Sequence, residues 1–303
     1  MKAVVLHRFG GPEVLALEHL PEPVLGPDYV LIAASAAGVN PVDWKIREGY
    51  LVGRFPHHTP LIPGWDVAGV VTAVGPAATG FAVGDEVMAY ARKDTIEHGT
   101  YAELVCVVDR AVAGKPAALS FAQAAALPLA GLTALQALEA VGVGKGDTVL
   151  VHAAAGGVGH LAVQLARTLG ADEVIGTASP RNHDFVRSLG ATPVAYGDRL
   201  VAEVGAVDAV VDTVGGQALA QSACLVRDPA RLVSITDAQA VLRHGGRYVF
   251  VRPDGAGLAR LGELAETGAL RIEVQQEFPL AAAADAHRLI QDGHVRGKLV
   301  LTV

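Results

Sequence analysis

Short apolar runs broken by glycine and proline fill the first third of the chain. Lys2 to Leu6, Tyr29 to Ala34, Asp66 to Val74, Glu86 to Ala89 and Tyr101 to Val108 are β-rich. Gly10-Gly11-Pro12, Gly26-Pro27-Asp28, Gly75-Pro76 and Val83-Gly84-Asp85 separate them. Strands with frequent turns and little helix predict a small closed β structure. One helix is expected from Pro41, with Asn40 as its N-cap and proline at the first helical position.

From about Ser120 the pattern changes. A helical pair, Phe121 to Ala126 and Leu129 to Val141, is interrupted by Pro128. Apolar strands follow at Thr148 to Val151, Val174 to Thr177, Pro193 to Tyr196, Ala209 to Asp212, Leu232 to Ile235 and Tyr248 to Val251. Helical stretches, such as Arg181 to Leu189 and Leu258 to Ala265, lie between or after them. Six such strands predict a doubly wound parallel sheet. The tail holds Glu273 to Phe278, a helix Ala281 to Gln291 and Lys298 to Thr302. It resumes the short-strand texture and is expected to rejoin the first domain. The division read this way is 1–118, 119–268 and 269–303.

The first strand of the second region leads into the most informative turn. Thr148 to Val151 is followed by Ala153-Ala-Ala-Gly-Gly-Val-Gly159, and then by apolar residues at helical spacing up to Leu169, with Gly170 as a stop. Strand, small-residue turn and helix make the corner that holds a pyrophosphate on a helix N-terminus. The fingerprint is imperfect, because Ala154 replaces its first glycine. Gly156, Gly157 and Val158 are the candidate phosphate contacts. The alternative is a turn whose glycines serve packing only.

Composition narrows the field. At 303 residues and 51% hydrophobic content the chain can bury two cores, and a net charge of −7 argues against a nucleic-acid partner. Only Cys106 and Cys224 are present, which excludes a disulfide framework and any four-cysteine zinc site. The start lacks an apolar leader, and Ala124 to Val143, the most apolar window, contains Pro128, Gln136 and Glu139. No membrane span is expected, and a cytoplasmic setting follows as the default.

An NAD-binding fold usually ends its second strand in a carboxylate that takes the ribose 2′-hydroxyl. Here the strand ends Val174-Ile-Gly-Thr-Ala-Ser-Pro-Arg181, with no acid. Ser179 can donate a hydrogen bond and Arg181 can pair with a 2′-phosphate, which favours NADP(H). Ser179 is also expected to cap the following helix. Tyr196, at the end of the third strand, either flanks the adenine or is a plain strand-end aromatic.

Taken in order, these motifs resemble the medium-chain dehydrogenase/reductase superfamily, in its zinc-free quinone oxidoreductase branch. The residues carrying the resemblance begin with Gly38-Val-Asn-Pro-Val-Asp-Trp-Lys45, Pro63-Gly-Trp-Asp-Val-Ala-Gly-Val-Val71, Val83-Gly-Asp-Glu-Val87, Gly99-Thr-Tyr-Ala-Glu103 and Gly131-Leu-Thr133. The glycine turn, Asp212-Thr-Val-Gly-Gly216 and Arg296-Gly-Lys-Leu-Val300 continue it. The resemblance implies a Rossmann doubly wound parallel sheet plus a GroES-like β-rich domain built from both chain ends. It also implies coenzyme contacts at Thr133, Val214, Ser234, Ile235, Phe250 and Val251, with Lys298 near the phosphates.

In the zinc alcohol dehydrogenases of that superfamily a cysteine and a Gly-His-Glu run bind metal. Here Asn40, Trp65 and Asp66 fall at those places. An amide and an indole supply neither thiolate nor imidazole, so no metal site is expected. The chemistry implied is hydride transfer from NADPH to a quinone or an α,β-unsaturated carbonyl. A narrower enoyl or alkenal reductase and a non-catalytic redox sensor remain alternatives. By analogy Asn40 either donates to the acceptor oxygen or serves only as an N-cap, and Tyr50 either relays a proton or lies on the surface. The apolar sixth strand, placed at a sheet edge, predicts a homodimer.

Overall fold

The computed structural model describes all 303 residues, which divide into two compact units. The first comprises Met1–Leu129, Pro253–Thr267 and Ile272–Val303. Its main sheet runs Val274–Pro279, Lys298–Thr302, Tyr29–Val39, Asp66–Val74, Glu86–Tyr90, Val112–Gly114, and Leu104–Val108 also pairs with Tyr29–Val39. Its pairings are antiparallel except that of Val274–Pro279 with Lys298–Thr302. Val30, Ile32, Val67, Val87 and Val105 form one core of this sheet. Val4, Val39, Ala286, Leu299 and Leu301 form a second, so Lys298–Thr302 packs into the first unit.

Strand register determines which polar residues meet at the end of this sheet. Gly38 lies opposite Asp66, and Val39 opposite Leu299. Asn40 and Lys298, each one step beyond that last pair, are brought together. The approach is close: a Cβ on Gly38 would stand 2.3 Å from the Ala125 carbonyl oxygen and 3.0 Å from Asp66 Cβ. Hence the helix Phe121–Ala126 packs on Tyr29–Val39 and Asp66–Val74 and belongs to the first unit. The helix Gly255–Glu266 belongs there too, seated against Val112–Gly114. The boundaries expected at 118 and 268 therefore differ from the division observed. Helical periodicity shows that a helix buries one face, but not which sheet covers it.

The second unit comprises Ala130–Arg252 and Gly268–Arg271. Its sheet is parallel throughout, in the order Thr192–Val194, Glu173–Thr177, Thr148–Val151, Ala209–Asp212, Leu232–Ser234, Arg247–Tyr248. Numbered along the chain this is 3-2-1-4-5-6, the order of a dinucleotide fold. Leu150, Val210, Leu219, Leu232 and Val241 fill its core.

One expected strand is much shorter than the pattern suggested. Only Arg247–Tyr248 pairs, where Tyr248 to Val251 was expected. The Gln136 side chain takes the Arg252 peptide instead, donating to its carbonyl at 3.0 Å and accepting its N–H at 3.1 Å. The apolar run carries Phe250, which is exposed, out of the sheet. No helix is long and apolar enough to cross a membrane.

Gly38→Ala tests the tight approach. Overpacking at such a contact costs about 1–3 kcal/mol, and the urea midpoint should fall accordingly with the slope unchanged.

Candidate active site

In the second unit the candidate coenzyme residues gather at the carboxyl ends of the strands, where an open parallel sheet binds ligands. The turn after Thr148–Val151 is held by the Gly156 N–H, which donates to the Ala153 carbonyl at 2.8 Å. Ala153 carries a positive φ of 46°, so the left-handed position falls on Ala153 and not on Ala154, where the fingerprint's first glycine would stand. Gly159 opens the helix Gly159–Thr168, and a Cβ there would stand 2.1 Å from the Ala153 carbonyl oxygen. The helix can approach its strand only because that residue has no side chain. No hydrogen bond within the chain uses the N–H of Gly157 or Val158. Open donors at the start of a ten-residue helix fit a pyrophosphate.

The neighbouring strand ends are equally ordered. Ser179 is half-buried and does not cap the short helical turn Pro180–Asn182, contrary to expectation. Its Oγ accepts from Asn182 Nδ2 at 3.4 Å, which leaves the hydroxyl hydrogen available. Arg181 lies exposed on the same turn. Tyr196 is 62% exposed, Val214 and Phe250 are exposed, Ile235 is half-buried, and Thr133 and Val251 are buried.

Ser234 is fully buried, and its hydroxyl donates to Asp212 Oδ2 at 2.6 Å. Asp212 also accepts the N–H groups of Val214 at 3.0 Å and Gly215 at 2.9 Å. The Ser234 side chain thus shapes the Val214 loop and is not available to a ligand. His152, buried just ahead of the glycine turn, bridges Thr177 Oγ1 at 3.2 Å and Ser222 Oγ at 2.6 Å. Asp212 and His152 were not singled out as site residues. An acid or imidazole ending a wholly apolar strand is the signal that could have found them.

The first unit holds a connected set of buried polar side chains. Asn40, Asp43, Arg47, Asp66, Tyr101, His287 and Lys298 are each at most 3% exposed. Asn40 occupies the N-cap of Pro41–Arg47, but its side chain turns elsewhere. Nδ2 donates to Asp66 Oδ2 at 2.8 Å, and Oδ1 accepts from the Lys298 ammonium. Lys298 also donates to the Val39 carbonyl at 3.1 Å and lies 3.8 Å from Asp66 Oδ2. Asp66 Oδ1 accepts the Leu129 N–H at 2.8 Å. Lys298, expected near phosphates, makes these contacts inside its own domain. Tyr50 is 65% exposed, stands edge-on to Trp44 at 5.9 Å and shares no bond with the set, which makes it a surface tyrosine.

A second arm runs from Asp43. Its Oδ2 accepts the Asn40 N–H at 2.7 Å and the Tyr101 hydroxyl at 3.0 Å. Arg47 offers only donors, so His287 Nδ1, 3.2 Å from Nη1, must accept. The ring proton is therefore on Nε2, which faces the Tyr101 oxygen at 3.2 Å. Burial, then the Arg47 charge, depresses the His287 pKa to about 3. Burial raises Asp43 to about 7 and Asp66 to about 6 against the bonds that lower them, and it lowers Lys298. His287 sits four residues after Ala283 on the buried face of Ala283–Gln291, so helical spacing alone marked it as inward.

Comparison with known proteins decides the lineage. Residues 26–117 match the alcohol dehydrogenase GroES-like domain, and residues 169–301 match the zinc-binding dehydrogenase family. A quinone oxidoreductase structure from Coxiella burnetii is 40% identical over 100% of this chain and 99% of its own, with a TM-score of 0.92. The NADPH-dependent alkenal/one oxidoreductase of Arabidopsis thaliana chloroplasts is 36% identical over 99% of this chain and 79% of its own. The chain belongs to the medium-chain dehydrogenase/reductase superfamily, in its zinc-free quinone oxidoreductase branch. A mycobacterial protein solved with NADPH is 29% identical over the whole of both chains, with a TM-score of 0.84. Within this superfamily Trp65 is a buried wall residue here, packed on Phe55 at 6.5 Å and Tyr90 at 6.1 Å.

The neutral His287 has a pH consequence. Folded, it takes a proton only near pH 3, whereas its ordinary value is 6.5. The unfolded chain therefore holds more protons across that window, and the ring's contribution is lost as pH falls. Gln in its place would accept from Arg47 and donate to Tyr101 without titrating. The stability gap between wild type and His287→Gln should narrow from pH 7 to pH 5 in urea unfolding. Asp43 and Asp66 are common to both proteins and cancel; a constant gap would refute the assignment.

Proposed function

We propose that the protein is an NADPH-dependent reductase of quinones and α,β-unsaturated carbonyls, acting without zinc. The observation that carries this reading is the coenzyme corner, with open N–H groups at Gly157 and Val158 and no carboxylate at the end of the second strand. The names of its relatives, a quinone oxidoreductase and an NADPH-dependent alkenal/one oxidoreductase, support it. The zinc-independent part is supported by Asn40 and Trp65 at the places of the metal ligands.

The coenzyme supplies a hydride when bound, and such acceptors are electrophilic enough to take it without a Lewis acid. The protein's task is to hold, orient and stabilise. Gly156, Gly157 and Val158 present the helix start to the pyrophosphate. The Ser179 hydroxyl donates to the 2′-phosphate and Arg181 pairs with it. Tyr196 flanks this end, while Thr133, Val214, the Ser234-Ile235 backbone and Phe250-Val251 line the coenzyme's path along the strand ends.

Asn40 has one Nδ2 hydrogen on Asp66 and a second for the acceptor oxygen, where charge grows as hydride arrives. The Tyr50 hydroxyl lies outside the buried set and on the surface. The reading includes a homodimer, supported by the apolar segment Val249 to Val251 after the short last strand.

Stopped-flow mixing of the NADPH-loaded protein with a panel of quinones and enones, chelator present, should show acceptor-dependent oxidation. None anywhere in the panel would leave a non-catalytic coenzyme-binding protein. Separately, Arg181→Ala removes a charge-assisted phosphate contact worth about 1.5–3 kcal/mol. NADPH affinity measured by calorimetry should fall about 10- to 100-fold and NADH affinity should barely change; equal losses would contradict the 2′-phosphate role.

A further inference from the structure

Lys298 lies among polar groups of the first unit, and those surroundings point to a task of their own. It is one step from Leu299, which pairs with Val39, so the sheet register sets it against Asn40. An ammonium has three hydrogens. Here one goes to the Val39 carbonyl and one to Asn40 Oδ1, and Asp66 Oδ2 lies 3.8 Å away. These contacts tie the ammonium to groups of its own domain.

We propose that Lys298 and Asp66 are positioning residues for Asn40, fixing its carboxamide so that one Nδ2 hydrogen faces the acceptor oxygen during hydride transfer. The proposal deepens the reductase reading and rests on it.

The orientation of the amide is determined twice over. Turned by 180°, it would set Oδ1 against the Asp66 carboxylate and NH2 against the ammonium, and both contacts would be repulsive. Asp66 is itself anchored by the Leu129 N–H at 2.8 Å. From the other side, the Asp43 carboxylate holds the Asn40 backbone N–H at 2.7 Å. A donor held this way needs no reorganisation as charge builds on the acceptor, which is where preorganised dipoles lower a barrier. The cation on Oδ1 also draws electron density toward oxygen and strengthens the N–H donors, as hydrogen bonds in series do. A proton relay through the same residues fails on chemistry. The arm from Arg47 through His287, Tyr101 and Asp43 ends on a peptide N–H, which passes no proton.

An interaction felt mainly in the transition state appears in kcat, whereas a phosphate contact appears in coenzyme affinity. The decisive variant is Lys298→Met combined with Asp66→Asn, which removes both charges together. Lys298→Met alone would strand a buried carboxylate, and its failure to fold would be uninformative. Lys298→Arg keeps the charge and serves as the conservative variant. Each would be examined by circular dichroism, by NADPH calorimetry at low and high salt, by steady-state kinetics with 1,4-benzoquinone, and by exchange of the Asn40 carboxamide protons in NMR.

In the double variant NADPH Kd should stay within about twofold, while kcat falls by about tenfold or more, a factor equivalent to about 1.4 kcal/mol. The Asn40 carboxamide protons should exchange faster, with or without coenzyme, and Lys298→Arg should recover part of kcat. A double variant with wild-type kcat and slow exchange would overturn the proposal. So would an NADPH Kd weakened about tenfold at unchanged kcat, which is the phosphate signature. If none of the acceptors offered elicited NADPH oxidation by the wild-type protein, the reductase reading would fail and the proposal with it. That result differs from failure of the proposal alone, in which wild type and variant turn over equally.

Discussion

The buried ion pair between Lys298 and Asp66, bridged by the Asn40 carboxamide, ties three separate strands of the first domain together. Taking two charges out of water is costly, and the cost is offset only by good geometry and by hydrogen bonds on the remaining donors and lone pairs. Each condition is met by a different part of the chain. The amide comes from the end of one strand, the carboxylate from the start of a second, and the ammonium from the start of the last. Removing any one of them leaves an uncompensated charge or an unsatisfied amide. Sheet register, the bare Gly38 and the seating of Phe121–Ala126 all serve this arrangement.

The second domain works by withholding side chains. Ala153, Ala154, Gly156, Gly157 and Gly159 leave the turn narrow enough for the helix to approach its strand and for backbone donors to stay open. Around that turn the polar groups are mostly used on one another. Asp212 organises the Val214 loop with help from Ser234, and His152 ties Thr177 to Ser222. What is left for a ligand is mostly backbone, with the Ser179 hydroxyl and a few exposed apolar residues.

Much of the fold was legible in the chain because local patterns dictated it. Six apolar strands separated by helices gave the parallel sheet, and the tail's short strands gave its return to the first domain. The side chain of Gln136, 116 residues away from Arg252, ends the last strand early, and nothing near residue 250 announces it. The open backbone donors at Gly157 and Val158 lie in a contiguous small-residue turn between strand and helix, a pattern the sequence displays directly. The polar set around Asn40 was not displayed in this way, because its members lie as far apart as residues 40 and 298. Lys298 was recognised as notable through its motif, yet only the register against Val39 shows which partner its charge serves.

The return of the tail also bears on how a nascent chain matures. Residues 130–252 make nearly all of the second unit as one uninterrupted stretch, able to condense as soon as it leaves the ribosome. The first unit has no such independence. Asp66 and Asp43 precede that stretch, but the cation and the imidazole that complete their surroundings, Lys298 and His287, follow it. Until the intervening stretch has been made and the tail follows it, the segment before it must wait with two acids unmatched, so the domain begun before the other is completed after it.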